Sequence, residues 1–190
     1  MGYLLVCFHP YSHKAIPAMP ISRCQLFALL DQMGIDHETR EHEAVFTVAE
    51  SAPVKAAMPG GHSKNLFVKD KKGALILVTA WAETPIDLVA LGKHLGVKGR
   101  LSFGKPELMQ AVLGVAPGSV TPFALANDSA KQLQKVIIDK AFFDFDRVWF
   151  HPLENTASTA ILPGDLLKFM KGLGFQPEIL PLAEIKRPQA

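Results

Sequence analysis

The tightest constraint on the fold of this chain is a pair of apolar runs, Leu66–Lys69 and Ala74–Ala80, separated by Asp70-Lys71-Lys72-Gly73. Short β-prone runs bounded by an Asp/Gly turn read as the two strands of a hairpin. Their pairing is antiparallel, and any sheet built by the rest of the chain has to accommodate this unit.

The flanking segments alternate short helices with short strands. Ser22 reads as an N-cap ahead of the amphipathic run Cys24–Leu30, and Gly34 as its C-terminal stop. Ile35 to Glu43 reads as an exposed or edge strand. A helical stretch begins at Thr47, runs through Val48, Ala52 and Val54, and ends before Pro59-Gly60-Gly61. Pro85 fits the first turn of a helix reaching about Leu95, and Lys105–Leu113 suggests another. Strands are expected at Val136–Asp139, Arg147–Pro152 and Ser158–Leu162, a last helix after Pro163-Gly164, and a closing strand near Glu178–Leu182. These elements fit one α/β (α+β) domain with a mixed, mostly antiparallel sheet flanked by helices. The long parallel alternation of a doubly wound fold is missing. Residues 1–20 read as an N-terminal extension and 21–185 as the domain, with Met19 an alternative start. Tyr3–Phe8 is apolar but too short to cross a bilayer, and Pro10, Pro17 and Pro20 interrupt the chain just after it.

Composition narrows the function classes. Twenty basic residues against 18 acidic ones leave a net charge of +2 with no polybasic run, so sequence-blind DNA binding is not expected and any nucleic-acid contact rests on a local patch. Cys7 and Cys24 lack the spacing of a zinc site or a disulfide framework, which points to a reducing, cytoplasmic setting. No GxxxxGK[ST], HExxH, GxSxG or EF-hand loop occurs, and Gly172 and Gly174 lack the third glycine of a dinucleotide fingerprint. Nothing calls for a metal or an organic cofactor. His37 and His42 are five residues apart, which on a strand puts them on opposite faces, so they read as solvated polar surface.

Three positions stand out. Lys64 sits ahead of core-like residues, beside the amide of Asn65 and behind Pro59-Gly60-Gly61, whose bare backbone can approach a ligand closely. It reads equally as a surface lysine at a strand start and as a cation held against an anion or ester. His151 follows the apolar run Val148-Trp149-Phe150 and taken alone reads first as a half-buried histidine satisfied by backbone. Pro117-Gly118 marks a type II turn, and Thr121-Pro122-Phe123 adds nothing catalytic on its own terms.

Taken together, His62–Asp70 (HSKNLFVKD), Pro117–Phe123 (PGSVTPF) and His151–Ile161 (HPLENTASTAI) resemble the YbaK/prolyl-tRNA-editing family of free-standing aminoacyl-tRNA deacylases. The resemblance runs from about Ser22 to about Leu182 and is strongest to the branch that clears alanine from proline tRNA, called PrdX or ProXp-ala. It implies that Lys64, Gly118 and His151 surround the bound ester. Asn65, Phe67, Thr121, Pro122, Phe123, Asn155, Ser158 and Thr159 are the substrate-binding residues it implies, with Phe67, Val78, Phe123 and Ile161 as candidate pocket walls. The implied partners are the acceptor end of tRNA(Pro) and prolyl-tRNA synthetase, with no membrane and no DNA.

The implied reaction is attack of water on the ester, assisted by the substrate's own ribose hydroxyl. An ammonium group with a pKa near ~10.4 is the wrong protonation state for a base at neutral pH, so Lys64 suits holding an oxygen better than activating water. No Ser-His-Asp or Cys-His constellation is evident in the sequence, which argues against an acyl-enzyme. A cysteinyl-tRNA deacylase of the same family and a non-catalytic adaptor for tRNA or synthetase are the alternatives. For the adaptor, Lys64, Lys69, Lys71, Lys72, Lys93, Lys98 and Arg100 are the candidate phosphate-tracking cations.

Overall fold

The structure, a computed structural model, describes residues 19–44 and 57–187. Helix α1 (Arg23–Gln32) opens on a complete capping box: the Ser22 hydroxyl accepts from Gln25 N (3.3 Å), and Ser22 N donates to Gln25 Oε1 (2.8 Å). Leu26 and Leu30, one turn apart, are fully buried, and Gly34 leaves the helix at φ +60°. The expected helix from Thr47 to Val54 lies outside the described residues.

The hairpin forms as expected. Strands β2 (Gly61–Lys69) and β3 (Leu75–Trp81) pair antiparallel from Ser63↔Trp81 to Lys69↔Leu75. Asp70 builds the turn: its Oδ1 accepts from Lys72 N (2.8 Å) and Ala74 N (2.9 Å), and its Oδ2 from Lys98 N (3.2 Å). These donors, the Ala74 amide foremost, hold its carboxyl below the usual range.

Around the hairpin the chain adds β1 (Glu38–Glu41), β4 (Ser102–Phe103), β5 (Leu133–Asp139), β6 (Val148–Phe150), β7 (Ala157–Ile161) and β8 (Glu178–Leu180). Among the described residues the sheet has eight strands, in the order β1-β7-β6-β2-β3-β5-β8 with β4 beside β2. Four pairings are antiparallel (β1–β7, β7–β6, β2–β3, β2–β4) and three are parallel (β2–β6, β3–β5, β5–β8). The mixed, mostly antiparallel sheet expected from the sequence is present, and β1 is an edge strand.

Helices α2 (Leu88–His94), α3 (Pro106–Leu113) and α4 (Pro163–Gly172) complete the layers. Pro85 does not open α2. The N-cap is Asp87, whose Oδ1 accepts from Val89 N (2.9 Å) and Ala90 N (3.1 Å), which puts the first helical residue, Leu88, three positions past the proline. Likewise β6 stops at Phe150, short of Pro152, which has no N–H to continue a ladder.

The pleat divides the core. Phe67, Leu75 and Leu77 face a large cluster with α1, α3 and α4, centred on Phe123, whose ring meets Phe150 (5.7 Å) and Phe169 (5.5 Å) edge-on. Val68, Ile76, Val78 and Ala80 face the other way, onto Leu91 of α2. Met58, Trp149 and Ala160 form a small third cluster.

Candidate functional site

Lys64 lies inside β2 rather than at its mouth, paired with Ala80 across the hairpin. Its ammonium donates to the carbonyl oxygens of Ala82 (2.9 Å) and Thr84, on the loop after β3. Neighbouring strand residues point to opposite faces, so Lys64 shares a face with Leu66 and Val68, while Asn65 points with Phe67 toward the large core. Asn65 Oδ1 and the hydroxyl of Thr79, its cross-strand partner, are buried without a hydrogen bond.

The parallel pairing of β2 with β6 brings the segments that carry His151 and Lys64 to the same end of the two strands. The last registered pair is His62↔Trp149, whose rings stack at 6.4 Å, and Lys64 and His151 each stand two residues further on. Lys64 and His151 therefore follow the same end of the β2–β6 pairing, His151 one residue past the end of β6. His151 Nδ1 donates to the carbonyl of Ala157 (3.0 Å), which leaves Nε2 as the acceptor of a neutral ring. Burial pushes the pKa of His151 down, and the positive charge of a protonated His42 would push it further. After Pro152, Leu153 takes φ +72° and its N–H returns to His151 O (2.9 Å), a conformation rare for leucine that folds the backbone tightly behind the imidazole.

His42 is a correction to the reading of solvated surface. It lies just past β1, 6.2 Å from the His151 ring, with Nδ1 donating to Glu43 O (2.8 Å) and Nε2 2.9 Å from Ser158 Oγ. A serine–histidine contact therefore exists that the linear sequence concealed, because 116 residues separate the pair. His37 is not loose surface either; it stacks on Phe27 (5.1 Å) and reaches Asp31 (3.2 Å). Arg23 joins these parts from α1: it pairs with Glu41 beside His42 and with Glu154 (2.9 Å) beyond His151.

The other expected site residues have local settings of their own. Gly118 is the third residue of an exposed type II turn, at φ +88° with Ser119 N donating to Ala116 O (3.0 Å), as Pro-Gly implied. Thr121 caps a short 3-10 helix, accepting from Phe123 N (3.3 Å), and Thr121, Pro122 and Phe123 are all buried. Thr159 is buried and its hydroxyl meets Thr39 Oγ1 (2.8 Å) across the β1–β7 pair. Asn155 is half-buried in the β6–β7 turn. Of the candidate walls, Phe67, Phe123 and Ile161 belong to the large core and Val78 to the opposite one.

Pro59-Gly60-Gly61 approaches protein rather than an open site. A Cβ on Gly60 would lie 2.6 Å from Arg147 O, and one on Gly61 2.7 Å from the Phe145 ring. The glycines let β2 pack against the start of β6, where Gly61 N donates to Arg147 O (2.9 Å). Among the described residues no cluster of three or more His, Cys, Asp or Glu could hold a metal, and no helix is long and apolar enough to cross a membrane.

Comparison with known proteins agrees with the fold and the motifs. The aminoacyl-tRNA editing domain family model matches residues 42–169. The chain is 40% identical over 162 residues to the prolyl-tRNA synthetase associated domain-containing protein 1 of Mus musculus, covering 83% of this chain and 95% of that protein. It is 32% identical over 150 residues to the prolyl-tRNA editing protein ProX of Acetoanaerobium sticklandii, covering 78% and 90%. A solved structure described as a candidate trans-editing enzyme for prolyl tRNA synthetase shares the fold at a TM-score of 0.66 and 20% identity, over 85% of this chain and 96% of that one. With the match spanning β2, β3 and β5 to β7, this chain belongs to the aminoacyl-tRNA editing domain family.

Proposed function

We propose that the chain is a trans-editing aminoacyl-tRNA deacylase that hydrolyses the ester of mischarged alanyl-tRNA(Pro). The observation that carries this reading is the placement of Lys64 and His151 two residues past the same β2–β6 register pair, with the Lys64 ammonium held on the backbone carbonyls of Ala82 and Thr84 and His151 Nε2 left as an acceptor. Water adds to the ester carbonyl, the substrate's ribose hydroxyl helps to take up its proton, and the terminal ribose oxygen leaves with a proton as the amino acid is released. The developing oxyanion needs preorganised donors, a role for which the ammonium of Lys64 and a backbone N–H of the Gly118 turn are suited. The neutral Nε2 of His151 suits accepting a proton from water or from the ribose hydroxyl.

Such an enzyme answers a limit of binding. A pocket built for proline discriminates against a smaller side chain by only about 1–3 kcal/mol per missing methylene, so a second, smaller site is the available remedy. For the acceptor stem, exposed Lys71, Lys72, Lys98 and Arg100 gather at the hairpin turn, five residues or about 16 Å along β2 from Lys64, a span suited to phosphates behind a terminal adenosine. We take residues 21–185 as the editing domain, since Ile21 N is already tied to Asn127 Oδ1 (2.8 Å), and the cytoplasm as its place of work.

Ser158 and His42 raise one competing route, an acyl-serine intermediate in which the Ser158 hydroxyl proton passes to His42. Ser158 is only 7% exposed, which favours the water route. The test is hydrolysis of alanyl-tRNA(Pro), prolyl-tRNA(Pro) and cysteinyl-tRNA by substoichiometric protein, with Lys64→Ala and Ser158→Ala alongside. Selective loss of the alanyl ester, slowed in Lys64→Ala to a residual rate readable only in single turnover and retained in Ser158→Ala, is the expected result. A folded and fully active Lys64→Ala removes the lysine from the mechanism, and intact esters in all three point to a tRNA- or synthetase-binding adaptor.

A further inference from the structure

We propose that Asp139 and Thr84 are the positioning residues that aim the ammonium of Lys64, an inference that rests on the catalytic reading of Lys64. A lysine side chain has four rotatable carbon–carbon bonds, and nothing in β2 alone fixes where its end points. Among the described residues it donates to the carbonyls of Ala82 and Thr84, which lie on a loop outside the sheet, so the placement of that loop bears directly on the aim of the ammonium.

The loop is set by one buried carboxylate. Asp139, at the end of β5 and 1% exposed, accepts from the Thr84 hydroxyl (2.5 Å) and Trp81 N (3.3 Å) through Oδ2, and from Ala141 N (3.2 Å) through Oδ1. The contact with Thr84 has the length of a charge-assisted O–H···O⁻ bond. Thr84 is 2% exposed, and its own N–H closes a tight turn onto Trp81 O (3.0 Å). One residue along, Ala82 N donates to His62 O (2.7 Å), tying the loop to β2 as well. Both ends of the segment 81–84 are thus held to the central strand β5, and the two carbonyls between them converge on Nζ.

Neither residue faces the reacting ester in this scheme. Asp139 acts on the loop, the loop acts on the ammonium, and the ammonium acts on substrate. A displacement near 1 Å in such a chain costs roughly 10²-fold in rate while leaving substrate affinity largely alone.

The experiment compares Thr84→Val, which keeps the shape and removes the hydroxyl, with Thr84→Ser, which restores it, and with Asp139→Asn, each also in a Lys64→Ala background. Single-turnover deacylation of alanyl-tRNA(Pro) is read together with thermal melting and the ¹⁵Nζ signal of Lys64. Thr84→Val and Asp139→Asn are expected to lower the rate about 10- to 100-fold with KM within about threefold. Thr84→Ser recovers at least tenfold of that loss, and neither change slows Lys64→Ala further. The slowly exchanging ammonium signal of Lys64 disappears in Thr84→Val. A Thr84→Val rate within twofold of the parent while Lys64→Ala is slowed to its residual rate overturns the proposal, as does an equal loss in both backgrounds. If Lys64→Ala is itself fully active, the catalytic reading fails instead, and an unchanged Lys64 signal in Thr84→Val then rejects the clamp by itself.

Discussion

Replacing Phe123 by alanine distinguishes a core residue from a pocket wall. The residue is fully buried, and its ring meets Phe150 and Phe169 edge-on at 5.7 and 5.5 Å. Truncating a buried phenylalanine removes about 3–5 kcal/mol through lost transfer energy and the cavity left behind. Each edge-on pair is worth about 0.5–1.5 kcal/mol beyond its area, which places this site in the upper half of that range, near ~4 kcal/mol. Against a total stability of roughly 5–15 kcal/mol, the variant is close to the edge of folding. Urea unfolding followed by tryptophan fluorescence should show the midpoint falling by about 2 M, taking a slope near ~2 kcal/mol/M, with that slope unchanged. Any new cleavage of prolyl-tRNA(Pro) should be no greater than the lost folded fraction permits. A shift under about 1 kcal/mol together with efficient prolyl-ester hydrolysis would refute the reasoning and return Phe123 to the pocket wall.

Acid should act through His151. Its folded pKa lies below the unfolded value near ~6.5. The unfolded chain therefore binds the extra proton more readily, and the stability carried by the neutral ring is complete above about 6.5 and lost as pH falls through the folded value. The urea midpoint of the parent should drop more steeply between neutral pH and about pH 5 than that of His151→Gln; parallel slopes would assign the burial no role. For the same reason the acid limb of the deacylation profile should lie below that of an ordinary imidazole. Gly60→Ala places a Cβ 2.6 Å from Arg147 O at φ +119°, so a loss of about 1–3 kcal/mol from backbone strain, plus the clash, is expected in the same unfolding assay. A Gly60→Ala melting temperature equal to the parent's would mean that the β2–β6 junction is not rigid.

Local chemistry was legible wherever one segment contains both partners of an interaction. Ser22 and Gln25 form a capping box three residues apart, Asp70 captures the amides of its own turn, and Pro117-Gly118 makes the turn its dihedral limits allow. Hydrophobic runs likewise announced the hairpin, because a strand buried on both faces is recognisable without knowing its neighbours. The start of α2 was misplaced because two residues compete for that role. Pro85 tolerates a first turn, but Asp87 satisfies two amides that would otherwise be orphaned.

Motif resemblance singled out Lys64, Gly118 and His151 as candidates, yet their sequence context could not say how each is held. Parallel pairing of β2 with β6 joins segments more than 80 residues apart and brings the segments that carry Lys64 and His151 to one end of the two strands. The contacts of His42 with Ser158 across 116 residues, and of Thr84 with Asp139 across 55, are equally invisible along the chain. What the sequence by itself determined is therefore the hairpin and most of the other strands and helices, the cap of α1, the turns at Asp70 and Gly118, and the family. The tertiary structure decided which polar groups meet, because hydrogen bonds and imidazole burial depend on distances that only the sheet order sets.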